Sequence, residues 1–198
     1  MTGIQSITVS SSLFFECCAP QTNHDNGGAG GIYAYSIKRS FSLSSSDFIS
    51  CSTGSSGGGI YFDCNSNPRL NIEIITDCRC VQCRSQDTSP DGGGMCLFER
   101  YSTIHSTECL FCECTTTGSG GGLNFYYGTN CESYPIKYCF FAGNAGGYAK
   151  DVFLWTILPE NGYLVFTCCF TTSESNRIGY SMSSAYKSKD NWIPLGVL

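Results

Sequence analysis

A chain of 198 residues lies within the range of one domain, and its 6 Pro and lack of a long polar tract leave no linker at which to divide it. A formal net charge of −5, with 11 Lys and Arg scattered along the chain, argues against a nucleic-acid groove or an anionic membrane surface as the partner. Residues 1–12 have neither the basic start nor the apolar core of a secretory signal, and no run of about 18 apolar residues occurs, so no signal peptide, transmembrane segment or membrane insertion is expected within the chain.

Taken in order, the chain repeats one phrase: an aromatic, a thiol, a loop, glycines, then an apolar residue. Phe14 leads to Cys17 and Gly30-Gly31-Ile32, and Phe48 leads to Cys51 and Gly57-Gly58-Gly59-Ile60. Cys80 leads to Cys83 and Gly92-Gly93-Gly94-Met95, and Phe111 leads to Cys114 and Gly120-Gly121-Gly122-Leu123. Phe141 leads to Asn144 and Gly146-Gly147-Tyr148. The marks at 17, 51, 83, 114 and 144 are separated by 34, 32, 31 and 30 residues, and a second column, Ser12, Ser46, Cys78, Cys109, Cys139 and Cys168, runs five residues ahead of them. A period of this size is the mark of a stacked architecture.

Within each repeat the pattern is extended. Leu70 to Ile74 alternates strictly, as do Ile60 with Phe62 and Leu123 with Phe125, and no stretch sustains apolar residues at helical spacing. Roughly 31 residues suffice for the short strands of one coil of a parallel β-helix, whereas a propeller blade needs about 40 to 50. The expected fold is therefore all-β: a single-stranded parallel β-helix (solenoid) of about six coils over residues 1–173. In residues 174–198 the glycine phrase is lost and Tyr180, Tyr186, Trp192 and Pro194 enter, which reads as a C-terminal cap or tail covering the exposed end of the stack.

The sequence Phe141-Ala142-Gly143-Asn144-Ala145-Gly146-Gly147, with the Cys-plus-glycine phrases at Cys51 to Ile60 and Cys114 to Leu123, resembles the repeat of chlamydial polymorphic membrane proteins. It is also similar to cysteine-rich, pectin-lyase-like β-helix proteins of trichomonad protists. The resemblance covers nearly all of Phe14 to Ser173. It implies a right-handed coil and an extracellular or cell-surface, adhesin-like role.

Fifteen cysteines admit three readings. Cys78 to Cys83 and Cys109 to Cys114 contain Cys-x2-Cys spacings that zinc would accept, and neighbouring coils would bring thiols within disulfide reach. Ser and Asn replace Cys at the column ends, however, which favours buried thiols packed in register and no metal. The glycine triplets lack the Lys-Ser/Thr and following helix of a phosphate cradle, so no cofactor is expected. No carboxylate pair recurs at one repeat position; Glu73 and Asp77 are the nearest to one. His24 and His105 match no nucleophile motif. No catalytic set is found, so the chain is expected not to be an enzyme, the alternative being a pectin-lyase-like carbohydrate-active one. Tyr33, Tyr35, Tyr61, Tyr126, Tyr127 and Tyr134 fall on or beside the strands after the glycines. Of these, Tyr33, Tyr61, Tyr126 and Tyr127 form the candidate binding stripe, suited to a carbohydrate or a host or surface protein.

Overall fold

In the computed structural model the described residues are 6–20, 28–35, 37, 40–63, 73–86, 91–99, 104–127, 133–156, 163–170 and 178–182. The first pass of the chain forms β1 (Ser6–Ser10), β2 (Leu13–Phe15), β3 (Cys18–Ala19) and β4 (Ile32–Tyr35). The second forms β5 (Ser40–Ser44), β6 (Asp47–Ile49), β7 (Ser52–Thr53) and β8 (Ile60–Asp63), and the third β9 (Glu73–Thr76), β10 (Arg79–Val81), β11 (Arg84–Ser85) and β12 (Met95–Glu99). The fourth forms β13 (Ile104–Thr107), β14 (Leu110–Cys112), β15 (Thr115–Thr116) and β16 (Leu123–Tyr127). Then come β17 (Ser133–Ala142), β18 (Val152–Thr156), β19 (Tyr163–Phe170) and β20 (Ile178–Met182).

Each strand pairs in parallel with its counterpart one pass away, which makes the molecule an all-β solenoid of about four complete turns, with β17 to β20 extending three of its walls. Among the described residues there is no helix, and none long and apolar enough to cross a membrane. One sheet has two limbs, β1-β5-β9-β13 and β2-β6-β10-β14, which meet in β17 because that strand runs unbroken through the corner between them. The second sheet is β3-β7-β11-β15 and the third is β4-β8-β12-β16-β18-β20. Ile178–Met182 thus adds a strand to the third sheet; the remainder of 174–198 lies outside the described residues, as does Leu70 to Ile72.

The alternation of each strand sends one set of side chains inward. Phe14, Phe48, Cys80, Phe111, Phe141 and Phe170 stand opposite one another in register. Phe14 stacks on Phe48 with centroids 4.7 Å apart, and Phe111 stacks on Phe141 at 5.0 Å. Facing them across the interior are Ile60, Met95, Leu123 and Val152, then Phe62, Leu97, Phe125 and Leu154, all buried.

The glycine phrase answers three separate demands, seen at Gly92-Gly93-Gly94. Gly92 has φ +65°, a region that side-chain-bearing residues rarely occupy. A Cβ on Gly93 would lie 2.3 Å from the Gly121 carbonyl oxygen, and one on Gly94 would meet the Phe111 ring at 3.0 Å. The third glycine therefore seats the loop against the inner aromatic column, which is why aromatic and glycine travel together in the repeat.

The two thiol columns lie just after two corners. In the first five passes the residue before the column member has a left-handed backbone: Ser11, Ser45, Asp77, Glu108 and Tyr138 at the first corner, Glu16, Ser50, Gln82, Glu113 and Gly143 at the second, with φ between 45° and 61°. The thiol then folds back across that residue to the carbonyl two positions earlier, as Cys78 does to Thr76 at 3.2 Å and Cys109 to Thr107 at 3.3 Å. It also donates to the preceding pass: Cys51 to the Phe14 carbonyl at 3.4 Å, Cys83 to Phe48 and Cys114 to Cys80, both at 3.2 Å. The twelve cysteines whose side chains are described are free thiols.

Candidate binding surface

On the third sheet the residues alternate with the core set and face outward. The register gives two outward columns, Tyr33, Tyr61, Cys96, Asn124 and Phe153, and Tyr35, Asp63, Phe98 and Tyr126. Rings from both columns form one continuous row. Tyr35 lies 6.3 Å from Tyr33, Tyr33 stacks on Tyr61 at 5.3 Å, Tyr61 meets Phe98 at 5.7 Å, and Phe98 stacks on Tyr126 at 4.7 Å. The row climbs diagonally because Tyr61 stands opposite Cys96 and reaches Phe98 two residues further on, a spacing that aromatic side chains span.

The structure brings Tyr33, Tyr61 and Tyr126 together, with a difference from the sequence reading. Tyr33 is 42% exposed, but Tyr61 is only 7% exposed, packed with Ala29, Cys96 and Phe98 in a small second apolar cluster on the outer side of the sheet. Outward does not mean exposed here, because the segments leading to the glycines fold over this face. Tyr127 stands opposite Glu99 in the register and its side chain lies outside the described residues. Tyr134 is on β17, opposite Leu164, and so belongs to another sheet. Phe98 is the member that a search for tyrosines missed; its position after Gly92-Gly93-Gly94 was the signal.

Beside the row lies a buried polar patch. The Asp91 carboxylate accepts the Ser119 backbone N–H at 3.2 Å and a hydrogen bond from the Asn124 amide, while Asn124 Oδ1 is buried without a partner. Burial pushes the Asp91 carboxyl above its ordinary range, and those hydrogen bonds offset part of the shift. Burial also raises the phenol of Tyr61, with Cys96 and Asp63 adding to it, and raises Tyr33, with Asp63 and Tyr35 adding.

The other candidate groups are held in structural bonds. Asp77, at a corner, accepts a hydrogen bond from Ser45 Oγ at 3.0 Å; the Glu73 side chain lies outside the described residues. Glu113 accepts from Gln82 Nε2 at 2.9 Å, and buried Asp151 accepts from Asn144 Nδ2 at 2.8 Å. Burial, then Lys137, lowers His105 below its ordinary range; His24 lies outside the described residues. Among the described residues no three His, Cys, Asp or Glu side chains converge as a metal ion would require. Comparison with protein-family models, curated proteins and solved structures finds no match, so the function must be argued from this surface.

Proposed function

We propose that the chain is a non-catalytic binding or structural solenoid whose partner, a carbohydrate or a host or surface protein, engages the aromatic row. In this reading the coil is a right-handed, pectin-lyase-like parallel β-helix of about six coils with a C-terminal cap, and it acts at the cell surface in an adhesin-like role, as the resemblance to chlamydial and trichomonad repeats implies. The row of stacked rings from Tyr35 to Tyr126 carries the proposal. Rings stacked along the axis cover one another's faces, so a partner meets their edges, while Tyr33 and Tyr35 close the row on the terminal strand of the sheet. Tyr61 is the buried link of the row between Tyr33 and Phe98, and Tyr127 follows Tyr126 on β16. The engagement of Asp77, Asp151 and Glu113 in structural bonds supports binding over turnover.

The test incubates the protein with a panel of neutral and acidic polysaccharides, measuring both depletion from solution and new reducing ends or unsaturated products. Binding without product, weakened by Tyr33→Ala and Tyr126→Ala, is expected for a carbohydrate partner. Release of product from any of them would replace this reading with the carbohydrate-active enzyme.

A further inference from the structure

A second surface is independent of the aromatic row. The outer face of β2, β6, β10, β14 and the end of β17 carries two columns, Leu13, Asp47, Arg79, Leu110 and Phe140, and Phe15, Ile49, Val81, Cys112 and Ala142. Eight of these ten positions are apolar, and all are exposed or half-exposed, Leu13 and Phe15 to 65% and 56%. The two charged members neutralise each other: Arg79 Nε donates to Asp47 Oδ1 at 2.6 Å, and its Nη2 donates to Oδ2. On the adjoining limb the outward residues of β1 and β5 are Ser6, Thr8, Ser10, Ser40, Ser42 and Ser44. That end of the adjoining wall is hydroxylated as a solvated sheet face should be, with Ile74 following Ser42 as its exposed apolar member, whereas the Phe15 column is apolar across all five strands.

The two rows of corners frame this apolar strip. They carry Asp77 and Glu108 on one side and Glu16 and Glu113 on the other, all exposed, and no cation. We propose that the strip docks a cationic amphipathic helix of a partner protein, its apolar face on the strip and its Lys or Arg side chains over the two acidic rims. The strands are already hydrogen-bonded to neighbours within the sheet, so the face has no backbone groups to offer an extended peptide, whereas a helix satisfies its own. Three residues of strand make the strip about 10 Å wide, and five strands make it about 19 Å long, which fits one helix of ordinary diameter for roughly 13 residues. A second copy of this chain is disfavoured, because self-contact would set carboxylate rim against carboxylate rim at a net charge of −5 per chain.

The probe is a labelled synthetic helix with Leu at i, i+3, i+4 and i+7 and Lys elsewhere, compared with its Glu counterpart by fluorescence anisotropy. Two variants add the same charge: Val81→Lys on the strip, and Ile74→Lys on the exposed face of the other limb, with Leu110→Lys as a second strip variant and melting curves to confirm folding. The Lys peptide should bind and the Glu peptide should not. Val81→Lys and Leu110→Lys should weaken binding at least tenfold, Ile74→Lys less than twofold, and Glu108→Gln with Glu113→Gln should weaken binding and flatten its salt dependence. Equal losses from Val81→Lys and Ile74→Lys would show attraction to overall charge alone and overturn the proposal, as would equal binding of the Glu peptide. Concentration-dependent dimerisation abolished by Val81→Lys would give the strip to a second copy and equally overturn it.

Discussion

Asn144 donates through Nδ2 to the Phe111 carbonyl at 3.0 Å, the bond that Cys114, one pass earlier in the same column, makes to the Cys80 carbonyl at 3.2 Å. A thiol and an amide thus perform the same task of tying one pass to the next. Asn144 does more: its Oδ1 accepts the Cys114 backbone N–H at 2.9 Å and its Nδ2 also reaches Asp151, which is buried.

Asn144→Ala should consequently cost about 3 kcal/mol, since it removes the side-chain partner of the buried Cys114 N–H, a bond to the Phe111 carbonyl and one donor to the buried Asp151 carboxylate together. Denaturant titration measures it. A loss below about 1 kcal/mol would mean that the neighbours find other partners.

Phe141 and Phe140 are adjacent, but Phe141 is fully buried and stacked on Phe111 while Phe140 is 40% exposed. Phe141→Ala should cost about 3–5 kcal/mol, because stacked passes on both sides cannot collapse into the cavity. Phe140→Ala should cost about 1 kcal/mol or less. Similar shifts of the unfolding midpoint for both would contradict the alternation.

The Cys109 thiol is raised to about 12, by its hydrogen bond to Cys139 and by burial. A raised thiol contributes stability that is whole below the ordinary thiol range and lost as pH climbs toward about 12, so the protein should unfold in alkali across that window. Apart from exposed Cys18 and half-buried Cys17 and Cys112, the described thiols of the native protein should react slowly with thiol reagents, and denaturation without reductant should release many more groups. Cys109→Ser should be better tolerated than Cys109→Ala, since Ser46 already serves in this column, donating to the Ser44 carbonyl at 2.8 Å. Thiols that appear only after reductant, or stoichiometric zinc in the purified protein, would contradict this account.

Much of this was legible in the sequence because stacking converts spacing into position. The register marks place Phe48, Phe111 and Phe141 in one column, and alternation puts Ile60, Phe62, Leu123 and Phe125 inside. The corners were not legible, because Ser45, Asp77, Gln82 and Glu108 hold backbone conformations usually announced by glycine. Nor was the cover over Tyr61 and Asn124, since a period of two reports which side of a sheet a residue occupies and nothing of what folds over that side.

Asp91→Asn supplies a pH-dependent test of that covered face. The fold raises the Asp91 carboxyl, so its favourable contribution is whole below the ordinary carboxylate range and lost as pH rises through the raised value. The variant should therefore be more stable than the parent near pH 7 and equal to it in strong acid. With the Asn124 amide turned over, the new amide donates to Asn124 Oδ1, which has no partner in the parent, while its oxygen still accepts the Ser119 N–H. A lower melting temperature for the variant at about pH 7 would show that the ionised carboxylate is needed.

The left-handed corners come in pairs, 11 with 16, 45 with 50, 77 with 82, 108 with 113 and 138 with 143, always five residues apart. Successive first corners are 34, 32, 31 and 30 apart, so all the variation in length lies outside the pair. The chain is therefore part rigid gauge and part slack. One residue inserted between paired corners would reverse the side chains of that pass's strand beyond it, whereas insertions beyond the gauge leave it untouched. Foreign loops or tags grafted onto this scaffold belong in the slack, and whole repeats could be gained or lost there while each wall keeps its facing.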